Sequence, residues 1–333
     1  MLPRPRSDAP GVDEANRERE AEMSTSLIAL HDPERDQRVI RTDDLFFSCI
    51  YDRSNRCLRI TDFRTGNFPL KDKTVLSLAD EFGAHKIYTL IERDDINGWH
   101  RVGYIREGSI PGYYKRSDAY LMSRLPGSDV VIFPESNDDT PERKAILNND
   151  IKKRAKDIAS LKNPGGRVQE LDAASALETA EAEIKRLSTS KEGKKDTGLG
   201  HLELARQLIP GPVFQHFSRD GERIFILIQP KRSRSCNILA LEYQDCFGNV
   251  KITFLRPPLN DAEIALSLYS VKKVLEELAE IGAVTAFAFT PEIWTDVNAI
   301  FLSCGFRKTG WLTHQRRSPD GYNDCILWTR RLA

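Results

Sequence analysis

The chain has 333 residues, enough for two domains, and carries 49 basic and 49 acidic side chains, a formal net charge of zero. That balance gives no electrostatic reason to expect nucleic acid or an anionic membrane as partner, and no run of about 18 apolar residues is present to span a bilayer. The charged N-terminus has no apolar h-region, so no secretory signal is predicted. The six cysteines show neither CxxC nor zinc spacing with histidine, and they read as reduced core thiols of a cytoplasmic protein that needs no metal.

In chain order, residues 1–24 mix proline with dense charge and read as a disordered tail. Residues 25–130 read as a small α/β domain. Two β-type runs, Leu45–Tyr51 and Cys57–Thr61, are joined by a turn. A helix over Val75–Phe82 ends at a Gly83 cap, and Lys86–Ile91 is a strand. A short helix over Asp94–Val102 and strands over Tyr104–Ile110 and Ala119–Ser123 follow.

Residues 131–200 read as a helical spacer. Thr140-Pro141-Glu142 opens a helix whose Leu147, Ile151, Ala155, Ile158 and Leu161 share one face. Asn163-Pro164-Gly165-Gly166 stops it, and Val168, Leu171, Ala174, Leu177, Ile184 and Leu187 predict a second helix fading into a linker after Ser188. The apolar heptads are few for a dimerising coiled coil, which leaves a hairpin laid on a domain, or a spacer, ahead of a homodimer. Residues 201–333 read as helix (Leu202–Leu208), three strands (Arg223–Ile228, Asn237–Tyr243, Val250–Leu255), a long helix (Asp261–Ile281), strand (Val284–Phe289), helix (Trp294–Cys304) and two closing strands.

Strand–strand–strand–helix–strand–helix–strand–strand is the order of the acyl-CoA-binding GNAT fold, so the fold class expected is α/β with a mixed sheet. Two stretches carry a closer likeness. Gly103-Tyr-Ile-Arg-Glu-Gly-Ser-Ile-Pro-Gly-Tyr-Tyr114 with Asp118-Ala-Tyr-Leu-Met-Ser123 is one. Asn298-Ala-Ile-Phe301, Gly305-Phe306, Gly310-Trp-Leu312, Gly321-Tyr-Asn-Asp324 and Trp328-Thr-Arg-Arg-Leu332 are the other. On these the chain resembles the β-lysine N-acetyltransferase family, a GNAT domain preceded by a smaller α/β unit. The resemblance implies acetyl transfer from acetyl-CoA to the amine of a small amino acid or polyamine-like acceptor. The pantetheine would lie along the fourth strand and the pyrophosphate at the following helix N-terminus. It places the cofactor at Thr253, Phe254, Leu255, Ala262, Glu263 and Ile264, with Asn298 opening the next helix.

The chain departs from that family at the pyrophosphate loop. No glycine occurs between Gly248 and Gly282, and no arginine between Arg256 and Arg307. Asp261 and Glu263 would face phosphates of like charge, a repulsion of about 1 to 4 kcal/mol at about 4 Å. As plain structure, Asn260 or Asp261 is a helix cap with Glu263 in its first turn. The family's acidic residue on the fourth strand is Ile252 here, its paired asparagines are His314 and Gln315, and its Glu and Asn near the end are Asn323 and Ile326. His314 is a weak candidate base, equally readable as structural, and Tyr113 and Tyr114 are candidates for an inter-domain contact. The alternative function is a non-catalytic GNAT-like protein binding a metabolite or a protein partner.

Overall fold

Phe46–Asp52 (β2) and Cys57–Asp62 (β3), each buried along most of its length, pair antiparallel as a hairpin. The Asp52 carboxylate closes its turn by accepting from Ser54 Oγ and Asn55 N at 2.8 and 2.9 Å. This computed structural model describes residues 37–127, 140–189, 222–318 and 321–332. The tail expected over 1–24, the helix at 202–208 and the linker beyond 189 lie outside the described residues.

An additional strand, Gln37–Arg41 (β1), pairs with β2. After β3 comes helix Phe68–Phe82 (α1), opened ahead of its expected start by Pro69 in the first turn and closed by Gly83 in the left-handed region. Strand Lys86–Ile91 (β4) follows, then a 3₁₀ turn running into Ile96–Arg101 (α2), then Ile105–Ile110 (β5) and Ala119–Arg124 (β6).

The stretch read as a two-helix spacer holds helix Pro141–Ala159 (α3), strand Gly166–Leu171 (β7) and helix Ala173–Thr189 (α4). Thr140 caps α3 through its hydroxyl, as its sequence predicts. Val168 and Leu171 lie on a strand and not on the expected helix. They are half-buried on an exposed edge strand, and their spacing also suited a helix. The chain then runs through Glu222–Pro230 (β8), Asn237–Gln244 (β9), Asn249–Phe254 (β10), Asp261–Glu280 (α5), Thr285–Pro291 (β11), Thr295–Ser303 (α6), Arg307–Ser318 (β12) and Gly321–Arg331 (β13).

All 13 described strands form one mixed sheet in the order β1-β2-β3-β4-β6-β5-β12-β13-β11-β10-β9-β8-β7. From β8 to β13 the chain has the GNAT order, with β10 and β11 as its one parallel pair. With β1 in place, the N-terminal unit has that order as well: β1-β2-β3-α1-β4-α2-β5-β6, with β3 and β4 parallel. The strand order is mirrored about the antiparallel β5–β12 contact at Gly108 and Gly310, so the two units are repeats related by a local twofold.

Matching residues recur at matching places. Trp99 and Tyr104 meet edge to face at 4.6 Å, as Phe301 and Phe306 do at 4.9 Å, and Gly103 and Gly305 are left-handed in both. Asp118-Ala-Tyr-Leu-Met-Ser-Arg124 corresponds to Asp324-Cys-Ile-Leu-Trp-Thr-Arg330. Arg124 donates to the Val102 carbonyl and Arg330 to that of Cys304. The contacts across the twofold are reciprocal. Thr285 Oγ1 donates to the Pro111 carbonyl at 2.7 Å, and Lys86 Nζ to that of Thr313 at 2.6 Å.

Each repeat has its own core, and a third cluster joins them, in which Tyr88, Tyr113 and Leu121 pack with Phe287, Leu312 and Leu327. Helices α3, α5 and α6 cover one face of the C-terminal repeat, while α4 packs on the other through Ala176, Ala180 and Ile184. All six cysteines are free, and four are buried. Among the described residues no helix is long and apolar enough to cross a membrane.

Where the twofold brings Gly112 against Val284, the other half sets His314 against His85. His314 keeps the left-handed backbone (φ 51°) that its glycine counterpart adopts freely. His85 Nε2 lies 3.4 Å from His314 Nδ1, and the His85 ring stacks on Tyr322 at 3.7 Å. Burial, then the neighbouring His314, lowers the His85 pKa to about 4. A depressed histidine pKa stabilises the fold fully above the free value of about 6.5, and that stability is lost as pH falls toward 4. Urea titrations are expected to show this acid loss, about 1 to 2 kcal/mol after screening, and to show it flattened in His85→Val. An unchanged profile in the variant would exclude His85 as the titrating group.

Candidate ligand-binding site

The expected cofactor loop joins β10 to α5. Asn260 caps α5, its Oδ1 accepting from Glu263 N at 3.0 Å. The Glu263 side chain is 0 % exposed and turns back into the loop. It accepts from the Leu259 amide at 2.7 Å and from Arg256 Nη1 and Nη2 at 3.0 and 2.6 Å. Arg256, 2 % exposed, also donates to Glu183 at 3.0 Å, to Ser235 Oγ at 2.9 Å and to the Pro257 and Cys236 carbonyls. Burial alone would raise the Glu183 carboxyl, but hydrogen bonds from Arg186 and Ser235 and the Arg256 charge outweigh it and hold the pKa below the usual range.

A loop amide and a guanidinium converging on one anion is how a helix start holds phosphate, and here Glu263 supplies the anion. Helix α3 adds a cover. Arg154 donates to Asp296 at 2.6 Å and to Asp261 at 3.0 Å, tying α3 to the first turns of both α6 and α5. The residues present therefore do not fit the pyrophosphate of acetyl-CoA at this loop.

The other expected positions are placed as follows. Phe254, Leu255 and Ile264 are buried, Thr253 is half-buried and Ala262 is exposed. Asn298 is fully buried. Its Oδ1 accepts from Thr290 Oγ1 and, at 2.7 Å, from Trp328 Nε1, while its Nδ2 donates to the Pro291 and Trp294 carbonyls at 2.9 and 3.0 Å. It thus serves as the polar core of the β11–α6 turn. The structure brings Phe254 against Phe301, edge to face at 5.9 Å. His314 stands apart from this group, among His85, Tyr322 and the Asp324 carboxylate that accepts its N–H. Among the described residues no cluster of three or more His, Cys, Asp or Glu is placed to hold a metal.

No protein-family model and no curated protein sequence matches this chain. Solved structures do match. A chimera of the Vibrio cholerae spermidine N-acetyltransferase SpeG with hSSAT is 11 % identical, with TM-score 0.35, covering 50 % of this chain and 96 % of that one. The Escherichia coli ribosomal-protein-S18-alanine N-acetyltransferase is 12 % identical, with TM-score 0.34, over 50 % and 94 %. An aminoglycoside 6'-acetyltransferase of type Ii is 11 % identical, with TM-score 0.34, over 50 % and 98 %.

The corresponding place in the N-terminal repeat is open. Pairing of β3 with β4 stops at Ile60 and Thr89, and beyond it lies a cleft of about 450 Å³. Its walls come from β3 and the loop after it, from the end of β4, from Tyr113 and Tyr114, and from Phe247 of the other repeat. Lys71, in the first turn of α1, is as buried as Glu263 but of opposite charge. Its Nζ donates to Asp62 at 2.5 Å and to the Arg64 carbonyl at 2.7 Å. Sequence reasoning noted Tyr113 and Tyr114 but missed Asp62, Glu92 and Asp95. The usable signal was the recurrence of Gly-aromatic-x₃-Gly and Asp-x₂-Leu-x-Ser/Thr-Arg in both halves, which marks the N-terminal unit as a second copy.

Proposed function

We propose that this chain is a metabolite-binding protein built on an acetyltransferase scaffold, without acetyl-CoA chemistry in its C-terminal repeat. The observation that carries this is the Glu263 carboxylate, fully buried on the loop amide and Arg256 where a phosphate would be held. The open cleft of the N-terminal repeat is the binding site in this reading.

A second reading is acetyl transfer from acetyl-CoA to the amine of a small amino acid or polyamine-like acceptor such as β-lysine. It is favoured by the parting of β10 from β11 after Lys251 and Phe287, which keeps the strand gap a pantetheine arm would use. Calorimetric titration of the full chain with acetyl-CoA, alongside an acetylation assay on β-lysine and spermidine, separates the two. The scaffold reading expects no saturable heat at millimolar cofactor and no acetylated product. Saturable binding with turnover would overturn it in favour of the enzyme.

A further inference from the structure

We propose that the groove between α5, the end of α6 and β13 binds a small organic anion, an acid group on a short aliphatic stem. The groove lies in the C-terminal repeat, apart from the cleft of the N-terminal one, and goes beyond both readings above. Its volume, about 340 Å³, is within the roughly 300–1,000 Å³ of small-molecule sites. Leu275, Ala279, Cys304 and Leu332 give it an apolar side, and its charged groups are Lys272, Glu276 and Arg330. Ser303, its remaining polar side chain, donates to the Ala155 carbonyl at 3.2 Å.

The other repeat shows what Arg330 lacks. Its counterpart Arg124 donates to the Val102 carbonyl and to the Asp72 carboxylate, both at 2.8 Å. Helices α1 and α5 end alike: beyond Gly83 the Ala84 amide bonds to the Ala79 carbonyl, and beyond Gly282 the Ala283 amide bonds to that of Leu278. Counting back from the two glycines sets the buried Val271 where Asp72 stands. Arg330 therefore keeps the carbonyl bond, to Cys304, without the carboxylate, and that is its one side-chain hydrogen bond among the described residues. Lys272 brings a second cation, and Glu276, one helical turn further on the same face, offsets one of the two. One positive charge is left over. The floor of the groove feels it: burial pushes the Cys304 thiol up to about 12, Lys272 and Arg330 both pull it down, and no acid acts on it. An anion resting beside Cys304 meets both cations, and a guanidinium takes a carboxylate or phosphate through paired hydrogen bonds.

The probe is hexanoate, titrated calorimetrically into the full chain, with hexanamide as the uncharged isostere. Saturable binding of hexanoate and none of hexanamide is expected. Arg330→Gln, which keeps a donor for the Cys304 carbonyl, should weaken binding at least about tenfold. Lys272 and Glu276 are exposed, so their variants leave the fold intact. Lys272→Gln should weaken binding about threefold, and Glu276→Gln should tighten it by a similar factor. Lys273→Gln, which removes a cation paired with Glu277 at 3.4 Å outside the groove, should leave binding unchanged. If Arg330→Gln lowers the melting point, the helix-surface variants decide alone. The proposal is overturned by no saturable hexanoate binding, by equal binding of hexanamide, by an unchanged Lys272→Gln or by a Lys273→Gln that weakens binding as much.

Discussion

Glu263→Ala is expected to destabilise the chain by about 3 kcal/mol or more, because it removes one of the two carboxylates that neutralise a buried guanidinium. Arg256 would be left with Glu183 and with carbonyl acceptors, and the Leu259 amide would lose its acceptor altogether. Chemical denaturation at neutral pH measures the loss, and Glu263→Gln, which keeps the shape and one acceptor, should lose less. If the carboxylate stands where an anion belongs, sulfate or phosphate should raise the melting point of the alanine variant more than that of the native chain. Equal salt responses would show that the loop, once emptied, does not cradle an anion.

The second large effect is expected at the twofold. An added Cβ on Gly310 would lie 2.7 Å from the Glu107 carbonyl oxygen and 2.8 Å from the Gly108 Cα, both backbone atoms that cannot swing aside. Gly310→Val should therefore force β12 away from β5 at a cost of about 3 kcal/mol or more. The buried Lys86–Glu107 pair and the Glu107 contact with the Thr313 amide lie beside that seam and would be disturbed with it. Hydrogen exchange should show faster amide exchange confined first to peptides over 105–110 and 307–318. Unchanged protection there would mean that the side-chain core across the seam holds the repeats without the strand contact.

Most of the individual elements were legible in the sequence. Helix α5 shows its Asn260 cap and its inward Ile264, Leu268, Val271, Leu275 and Leu278, and the structure buries all five. What escaped was whatever depends on partners distant in the chain. Strand β1 is short, with only Ile40 fully buried, and without it the N-terminal unit does not display the order that makes it a repeat. Strand β7 lies at an edge with two half-buried apolar side chains, too weak a period to separate from a helix. At the site, the absence of glycine and the acidic residues near 261–263 set the loop apart in the sequence from the family's pattern. Their arrangement did not follow, because Glu183, Ser235 and Arg256 converge only once β9, β10 and α4 have packed. Lys71 was invisible for the same reason, since a buried lysine on a helix reads as solvated until its acceptors are in place.

The continuity of the sheet constrains how the chain is made. The N-terminal repeat leaves the ribosome with its own core complete, yet β5 must wait for its neighbour β12; Glu107 and Thr313, which bond across that seam, are 206 positions apart. Until then β5 is a bare strand edge of the kind that pairs with other nascent chains. Its one ladder contact with β12 is made at a glycine, and Lys86 and Glu107 form a buried ion pair beside it. These features weaken a stray strand's grip while still admitting the right one.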